Sequence, residues 1–220
     1  EFPDLESSPS YGSYLIVGQP ISIRRFFNYE GIDPATGYYK VTDIDGDGYA
    51  TTADYTAFRV VGLKYSAGLS NTFSFKGFAL DVMLQYVNQV SSNFVNAFLL
   101  SPGRGIYNQP VWVLDRFSGQ NPGAKYQAYS LFSDNGTAYQ NYTSSTAAVG
   151  DASFLRLKNV QLSYSFPEKM LRKLSLAGGR LFAQGQNLLT ITDFKGLDPE
   201  TANTSLPPLR VITLGIHLSF

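Results

Sequence analysis

The last ten residues of the chain, Val211 to Phe220, constrain its fold more than any other stretch does. Large apolar residues alternate there with mostly small or polar ones: Ile212, Leu214, Ile216, Leu218 and Phe220 against Val211, Thr213, Gly215, His217 and Ser219. Because successive side chains of a β-strand point to opposite faces, one face of this strand is wholly apolar. Strands cross membranes only in closed barrels, with apolar residues outward and polar residues inward. The pattern therefore predicts a barrel strand that crosses a membrane, with a strand of a soluble sandwich as the alternative.

The same alternation runs through residues 65–87, on two segments that a Lys76-Gly77 turn joins. A two-residue turn with glycine is typical of a tight hairpin. Each segment has about ten residues, the length that a strand needs to cross a bilayer at a tilt, whereas soluble strands are mostly shorter. Asp81 and Gln85 fall on the face opposite the apolar one, where a hydrated lumen would accept them. A sandwich hairpin with one solvated face is the alternative.

Further strands are expected at residues 21–29, 159–166 and 174–189, the last two joined by a short turn at 167–173. With residues 65–87 and 211–220 they make about six antiparallel strands, an all-β fold. The residues expected to face lipid are the large apolar ones of the alternating segments: Phe73, Phe75, Phe78, Leu80, Val82, Leu84, Val160, Leu162, Tyr164, Ile212, Leu214, Ile216, Leu218 and Phe220.

Composition excludes several classes of protein and partner. The 17 basic and 17 acidic residues cancel, so the chain has no electrostatic footprint for nucleic acid. No run of about 18 apolar residues occurs, which excludes a transmembrane helix. The absence of cysteine excludes disulfides and thiolate metal sites. Few charges and many aromatic residues suit a barrel with aromatic girdles, and equally an extracellular β-sandwich.

A calcium-loop pattern lies in the connection of about residues 31–62, in the sequence DIDGDGYATTAD from Asp43 to Asp54. A calcium loop needs oxygen ligands from alternate residues, a sharp turn at position 6, a carbonyl at position 7 and a closing carboxylate. The predicted ligands are Asp43, Asp45, Asp47, the backbone carbonyl of Tyr49, and Asp54. The motif departs from an EF-hand in closing with Asp and in lacking a clear helix pair. We expect structural Ca²⁺ that braces the loop, with an acidic turn without metal as the alternative.

The connections between the expected strands are alternately short and long. The long ones are about residues 31–62, 91–150 and 190–208, and barrels of the outer membrane have short periplasmic turns and longer outer loops. We therefore expect the long loops to be extracellular. The longest loop contains several aromatic residues that could stack on sugars, dock a partner or pack the loop against itself: Tyr107, Trp112, Tyr126, Tyr129, Tyr139 and Tyr142.

The sequence contains no recognisable arrangement of catalytic residues. His217 is the sole histidine, and no Ser/His/Asp arrangement surrounds it. Glycoside hydrolysis needs a facing pair of carboxylates, and nothing in the sequence pairs the acidic residues. We expect Asp198 and Glu200, and likewise Asp115 and Arg116, to take part in ion pairs that brace loops. No catalytic residue is predicted, and the chain is not expected to be an enzyme.

Several short blocks resemble, in order and spacing, the C-terminal region of SusC/RagA-type TonB-dependent transporters. They are GIDP at 31–34, DIDGDG at 43–48, FSFKGF at 73–78, GDASFLRLKNV at 150–160, GQNL at 185–188 and GLDP at 196–199. The block SFLRLKN, from Ser153 to Asn159, is the most specific of them. The resemblance extends almost to the last residue.

This resemblance implies that residues 1–220 are the C-terminal part of a 22-stranded barrel in the bacterial outer membrane, of which they supply the last six or so strands. Members of the family import glycans or oligopeptides. The implied partners are the remainder of the same barrel (its plug and N-terminal strands), a SusD-like surface lipoprotein, TonB through the plug, and membrane lipid. The resemblance assigns no substrate-binding residue, because loop sequences vary with the cargo.

Two other classes of protein compete with this interpretation. A soluble extracellular calcium-dependent carbohydrate-binding β-protein would carry its aromatic residues on one concave face. A small autonomous barrel needs at least about eight strands, more than the pattern provides.

Overall fold

The computed structural model describes residues 8, 11–12, 15–93, 108–130, 133–202 and 205–220, with residues 133–135 described by their backbone only. The chain divides into two compact units. Residues 1–62 and 90–150 form the first, which we call the loop unit, and residues 63–89 and 151–220 form the second, the sheet unit. Within the described ranges, no helix combines the length and the hydrophobicity that a membrane span requires.

The loop unit is built from short elements. Its strands are β1 (Ile23–Phe26), β2 (Tyr29–Ile32), β3 (Tyr39–Val41) and β4 (Ala57–Val60). Strand β1 pairs with β4 and β2 pairs with β3, in both cases antiparallel. Helix α1 spans Ser133–Thr143, and 3₁₀ turns span Thr52–Asp54, Val111–Leu114 and Thr146–Ala148.

Tyrosine side chains form the core of the loop unit. The rings of Tyr39 and Tyr142 stack with their centroids 4.4 Å apart, and Tyr29 meets Tyr142 edge-on at 5.6 Å. Tyr139 is also buried in this cluster. Aromatic pairs in such geometries stabilise a core beyond the area they bury. Of the aromatic residues in the longest loop, Tyr139 and Tyr142 therefore pack the loop against β2 and β3, while Tyr107 lies outside the described residues.

Long antiparallel strands form the main sheet. They are β5 (Gly62–Phe75), β6 (Phe78–Ser92), β8 (Phe154–Ser165), β9 (Gly178–Thr192) and β10 (Val211–Ser219), together with the short β7 (Val149–Asp151). The order across the sheet is β10-β9-β8-β6-β5, and β7 also pairs with β6. Helix α2 (Glu168–Lys173) connects β8 to β9. The all-β antiparallel fold expected from the alternation is confirmed.

The segment 21–29 is not one strand of this sheet, so that expectation is wrong. Strand β1 pairs with β4 instead, and β2 begins after a break and pairs with β3. At the break, the backbone N–H of Phe27 donates to the carbonyl of Ser144 at 3.0 Å. The segment thus changes partners halfway, which an alternation of apolar residues does not reveal.

Lys76 and Gly77 form the predicted two-residue turn between β5 and β6. Both have positive φ, 46° and 86°, as a type I′ turn requires. A Cβ at Gly77 would lie 3.1 Å from the carbonyl oxygen of Ser165. Glycine is therefore required here by conformation and by space together.

One added residue in β8 changes which side chains share a face. Met83 of β6 pairs with Asn159, and the next residue, Leu84, pairs with Leu157, so Lys158 is the extra residue of a β-bulge. After the bulge, odd-numbered residues of β8 share the face of Asn159. Before it, even-numbered residues share that face, and strand β8 begins at residue 154 rather than at the expected 159.

Candidate functional site

One face of the main sheet is apolar across four strands. The register places three rows of residues side by side: Phe78–Tyr164–Leu181–Ile216, Leu80–Leu162–Ala183–Leu214 and Val82–Val160–Gly185–Ile212. Residues that pair directly on neighbouring strands project to the same side. Leu84, opposite Leu157, extends the face beyond the bulge, and Leu218, opposite Gly179, lies at its other end on β10.

Strand β5 continues this apolar face. The Thr72 hydroxyl donates to the Asp81 carboxylate at 2.6 Å, so Thr72 lies on the polar side and the next residue, Phe73, on the apolar side with Phe75. Leu214 is 77% exposed and Phe220 is 93% exposed. The structure thus brings the predicted lipid-facing residues of the long strands onto one surface, on which the side chains are exposed or half-buried. Apolar patches of such extent mark surfaces that contact a membrane or another protein.

Polar side chains form two rows on the opposite face of the sheet, which also carries Met83 and Phe182. One row across β6, β8, β9 and β10 is Asp81–Gln161–Gln184–Thr213, and Ser165–Arg180–His217 forms another toward the α2 end. The Gln184 amide donates to the Asn159 amide oxygen at 2.7 Å. Amides and hydroxyls that face water or one another in this way suit a hydrated surface. His217 lies on this polar face, as the sequence pattern predicts, and it pairs with Arg180.

The acidic loop brings three of its predicted ligands together. Carboxylate oxygens of Asp43, Asp45 and Asp47 all lie within 4.8 Å of one another on an exposed surface. Asp43 accepts hydrogen bonds from the backbone N–H of Gly46 at 2.7 Å and of Gly48 at 2.9 Å. These contacts curl the backbone around the first carboxylate, so that the three acidic groups converge although they repel one another.

Asp54 is not part of this group of converging carboxylates. Its two carboxylate oxygens accept hydrogen bonds from the backbone N–H of Ile44, at 2.7 Å, and of Thr51, at 2.9 Å, and the residue is buried. The hydrogen bonds from Thr51 and Ile44 hold the pKa of Asp54 below its ordinary value. Asp54 therefore ties the two ends of the loop together as a carboxylate.

A buried cluster of charged residues lies on the polar face of the sheet. The sequence pattern does not predict it as a binding site. The guanidinium of Arg156 is fully buried and donates to Asp198 and to Glu200, each at 2.5 Å. Its Nε also donates to the Thr190 hydroxyl at 3.0 Å. Lys158 lies 3.8 Å from Glu200. We call Arg156, Thr190, Asp198 and Glu200 the Arg156 cluster.

The expected ion pairs of Asp198 and Glu200 are confirmed by this cluster. Asp115 and Arg116 have other contacts among the described residues. Asp115 accepts a hydrogen bond from the Asn121 amide at 3.1 Å, and the Arg116 guanidinium lies 4.0 Å from the centre of the Tyr129 ring. Both residues still brace their loop, but through an amide and an aromatic ring.

Known proteins similar in sequence to this chain are TonB-dependent receptors. TonB-dependent receptor P3 of Formosa agariphila is 29% identical over 194 residues, which cover 81% of this chain and 18% of that protein. TonB-dependent receptor SusC of Bacteroides thetaiotaomicron is 33% identical over 116 residues, covering 44% of this chain and 11% of SusC. The chain thus spans about a fifth or less of the length of these curated relatives. No family model matches it.

The fold matches solved structures of the same kind. The RagAB peptide importer in its open-open state superimposes with a TM-score of 0.70 at 25% sequence identity, over 94% of this chain and 24% of the matched chain. The strands described above thus superimpose on about a quarter of a longer chain. Sequence and structure agree: the chain is similar to TonB-dependent receptors, SusC among them, and to RagAB, and a C-terminal segment of a SusC/RagA-type transporter fits both comparisons.

Proposed function

We propose that the chain is part of a β-barrel that imports nutrients across the bacterial outer membrane in a TonB-dependent way. The observation that carries this proposal is the two-faced sheet. Its apolar face is exposed across five long strands, and its opposite face carries amides, hydroxyls and charges. Barrels of the outer membrane have such a distribution, apolar toward lipid and polar toward the lumen.

The open edges of the sheet support the same proposal. Within the described residues, β5 pairs only with β6, and β10 only with β9. An unpaired strand edge within a bilayer costs several kcal/mol for each unsatisfied backbone group. The remainder of the barrel would therefore supply strands that pair with β5 and β10, and enclose the polar face.

A soluble carbohydrate-binding protein fits these observations less well. It would expose the apolar face of the sheet to water, including Ile212 and Leu214 at 77% exposure each, and a soluble protein rarely leaves so large a patch uncovered. Two aromatic residues of the longest loop, Tyr139 and Tyr142, are buried in the tyrosine core.

The cargo that we propose is a glycan or an oligopeptide. RagAB, whose structure this chain resembles, is a peptide importer. A SusD-like surface lipoprotein would cover the extracellular opening of the barrel, and TonB would supply energy through the plug. The long loops would then lie on the extracellular side, with the Lys76-Gly77 turn and α2 on the periplasmic side.

Uptake by the full-length receptor tests this function. The receptor gene is expressed in a host that lacks its own importers for the probes, with and without TonB. The probes are fluorescein-labelled tryptic peptides of casein and a labelled partial hydrolysate of starch. We expect the receptor in the outer-membrane fraction and uptake of one probe that disappears without TonB. Receptor recovered in the soluble fraction, or uptake that persists without TonB, would contradict the proposal.

We also propose that the Asp43–Tyr49 stretch holds a structural Ca²⁺. The donor set fits the ion, because calcium takes six to eight oxygen ligands and accepts carboxylates and backbone carbonyls. Asp43, Asp45 and Asp47 converge, and Tyr49 follows with its carbonyl. Asp54 would become a further ligand through an oxygen that also accepts a hydrogen bond from Ile44 or Thr51. The ion would neutralise the three carboxylates and brace the loop.

A further inference from the structure

The Arg156 cluster fixes a segment of chain against the polar face of the sheet. Arg156 and Thr190 belong to neighbouring strands, β8 and β9, and pair directly in the register. Asp198 and Glu200 belong to the segment after β9, residues 196–202, which we call the strap. Both carboxylates of the strap thus reach a guanidinium that the sheet holds in place on its polar side.

Further hydrogen bonds hold the strap in the same position. The Gln89 amide of β6 donates to the carbonyl of Pro199 at 2.5 Å. Within the strap, Asp198 accepts from the backbone N–H of Glu200 through its side chain and from that of Ala202 through its carbonyl, each at 2.9 Å. A buried Arg that is shared by two carboxylates has one good geometry, because its donors form a rigid planar fork. The strap therefore has a single position over strands β6, β8 and β9.

The strap forms one side of a cavity of about 590 Å³. Residues 207–210 line the other side, and Asn187, Thr190 and Thr192 of β9 line the cavity between them. The second side is anchored as well, because the Asn187 amide donates to the Leu209 carbonyl at 3.1 Å. A cavity of this size matches pockets that hold a small ligand or a few residues of a larger one.

We propose that Arg156 is a positioning residue for cargo, because it fixes the strap as one wall of this cavity. The proposal rests on the proposed import function for its reference to cargo. Its structural part, the fixing of the strap by Arg156, stands on the contacts alone. Buried ion pairs add little net stability but specify one geometry, so the cluster is better suited to positioning than to holding the barrel together.

Spin labels in the full-length receptor test the structural part. The 220 residues contain no cysteine, and any cysteine in the remainder of the receptor is first replaced by serine. A cysteine at exposed Thr201 then carries a label on the strap, and one at exposed Thr213 on β10 carries the control label. The test variant removes all three charges at once, with Arg156→Met, Asp198→Asn and Glu200→Gln. It leaves no buried charge without a partner, and thus keeps the barrel folded. The matched control is Glu168→Gln, which removes an exposed ion pair to Arg172.

We expect the slow-motion component of the spectrum at residue 201 to be lost in the triple variant and kept in Glu168→Gln. The label at residue 213 should be unchanged in both. Arg156→Lys, which keeps the charge but not the fork, should retain part of the slow component. A label at residue 201 that stays as immobile in the folded triple variant as in the wild type would overturn the fixing of the strap.

Uptake kinetics test the cargo part, with the labelled casein peptides and starch hydrolysate as probes. For the probe that the wild type imports, the triple variant should need a higher concentration for half-maximal uptake at an unchanged maximal rate and receptor level. Equal half-saturation with a mobile strap would overturn the cargo part and leave the fixing of the strap standing. A wild type that imports neither probe would refute the import of these probes and with it the cargo part, while the spin labels still decide the structural part.

Discussion

Asp45 and Asp54 have the same side chain, but the surrounding backbone gives them different tasks. Asp54 is buried and accepts hydrogen bonds from the N–H groups of Ile44 and Thr51, so its carboxylate holds the loop closed. Asp45 is exposed and lies among like charges, with a backbone N–H of Asp47 as its hydrogen-bond donor at 3.3 Å. Unpaired carboxylates that are held together gain most from a cation.

Calcium binding should therefore depend on Asp45 in particular. We expect Asp45→Ala to abolish binding of one Ca²⁺ per chain, measured by isothermal titration with calcium chloride on the full-length receptor. The substitution removes an oxygen ligand from the middle of the cluster without touching the hydrogen bonds of Asp54. Asp33→Ala is the matched control, since Asp33 is a half-buried carboxylate of the same unit outside the cluster. Equal calcium affinity in Asp45→Ala and the wild type would show that this cluster does not hold the ion.

The burial of Arg156 could not be predicted from the sequence, whereas the acidic cluster could. The spacing of Asp43, Asp45 and Asp47 indicates the acidic cluster, because all three lie within five residues of sequence. The carboxylates that meet Arg156 lie more than forty residues later, in a loop without periodicity. Nothing local in the sequence therefore indicates that this arginine is buried.

Among the elements, the position and the turn of the Lys76-Gly77 hairpin were predictable, because alternation and turn chemistry agree. Its strands, β5 with 14 residues and β6 with 15, are longer than the ten residues expected. The bulge of β8 was missed, although a signal for it exists. Apolar residues occupy odd positions at Leu155 and Leu157 and even positions from Val160 onward. Such a change of phase needs one added residue if the apolar side chains are to stay on one face.

Replacement of Gly77 tests the hairpin at the scale of the element. Gly77→Ala should lower the free energy of unfolding of the full-length barrel by about 1–2 kcal/mol, since a residue with a Cβ is strained at positive φ. The Ser165 carbonyl, 3.1 Å from the position of that Cβ, adds to the cost. Urea titration in lipid vesicles measures the change.

Gly68→Ala on β5 is the matched control for this prediction. Gly68 does not have positive φ, and the nearest atom to an added Cβ lies 4.0 Å away. Its replacement should change the free energy of unfolding much less than Gly77→Ala. Equal effects of the two substitutions would argue against a type I′ turn at Lys76-Gly77.

At the scale of the whole molecule, one arrangement of side chains explains the separate observations. The register aligns the apolar rows of β6, β8, β9 and β10 on one face and the amides on the other. The strap and the Arg156 cluster lie on the polar face, where the buried guanidinium has carboxylate partners. In a barrel whose apolar face contacts lipid, the polar face would line the lumen.

Adjacent residues of β10 allow the most direct test of this orientation. Leu214 is on the apolar face opposite Ala183, and Thr213 is on the polar face opposite Gln184. In urea titrations of the full-length barrel in lipid vesicles, Leu214→Arg should lower the free energy of unfolding by about 2–4 kcal/mol, the cost of arginine near the middle of a bilayer. Thr213→Arg should cause little loss, because the lumen hydrates the charge. Equal losses for the two variants, or a larger loss for Thr213→Arg, would contradict the account.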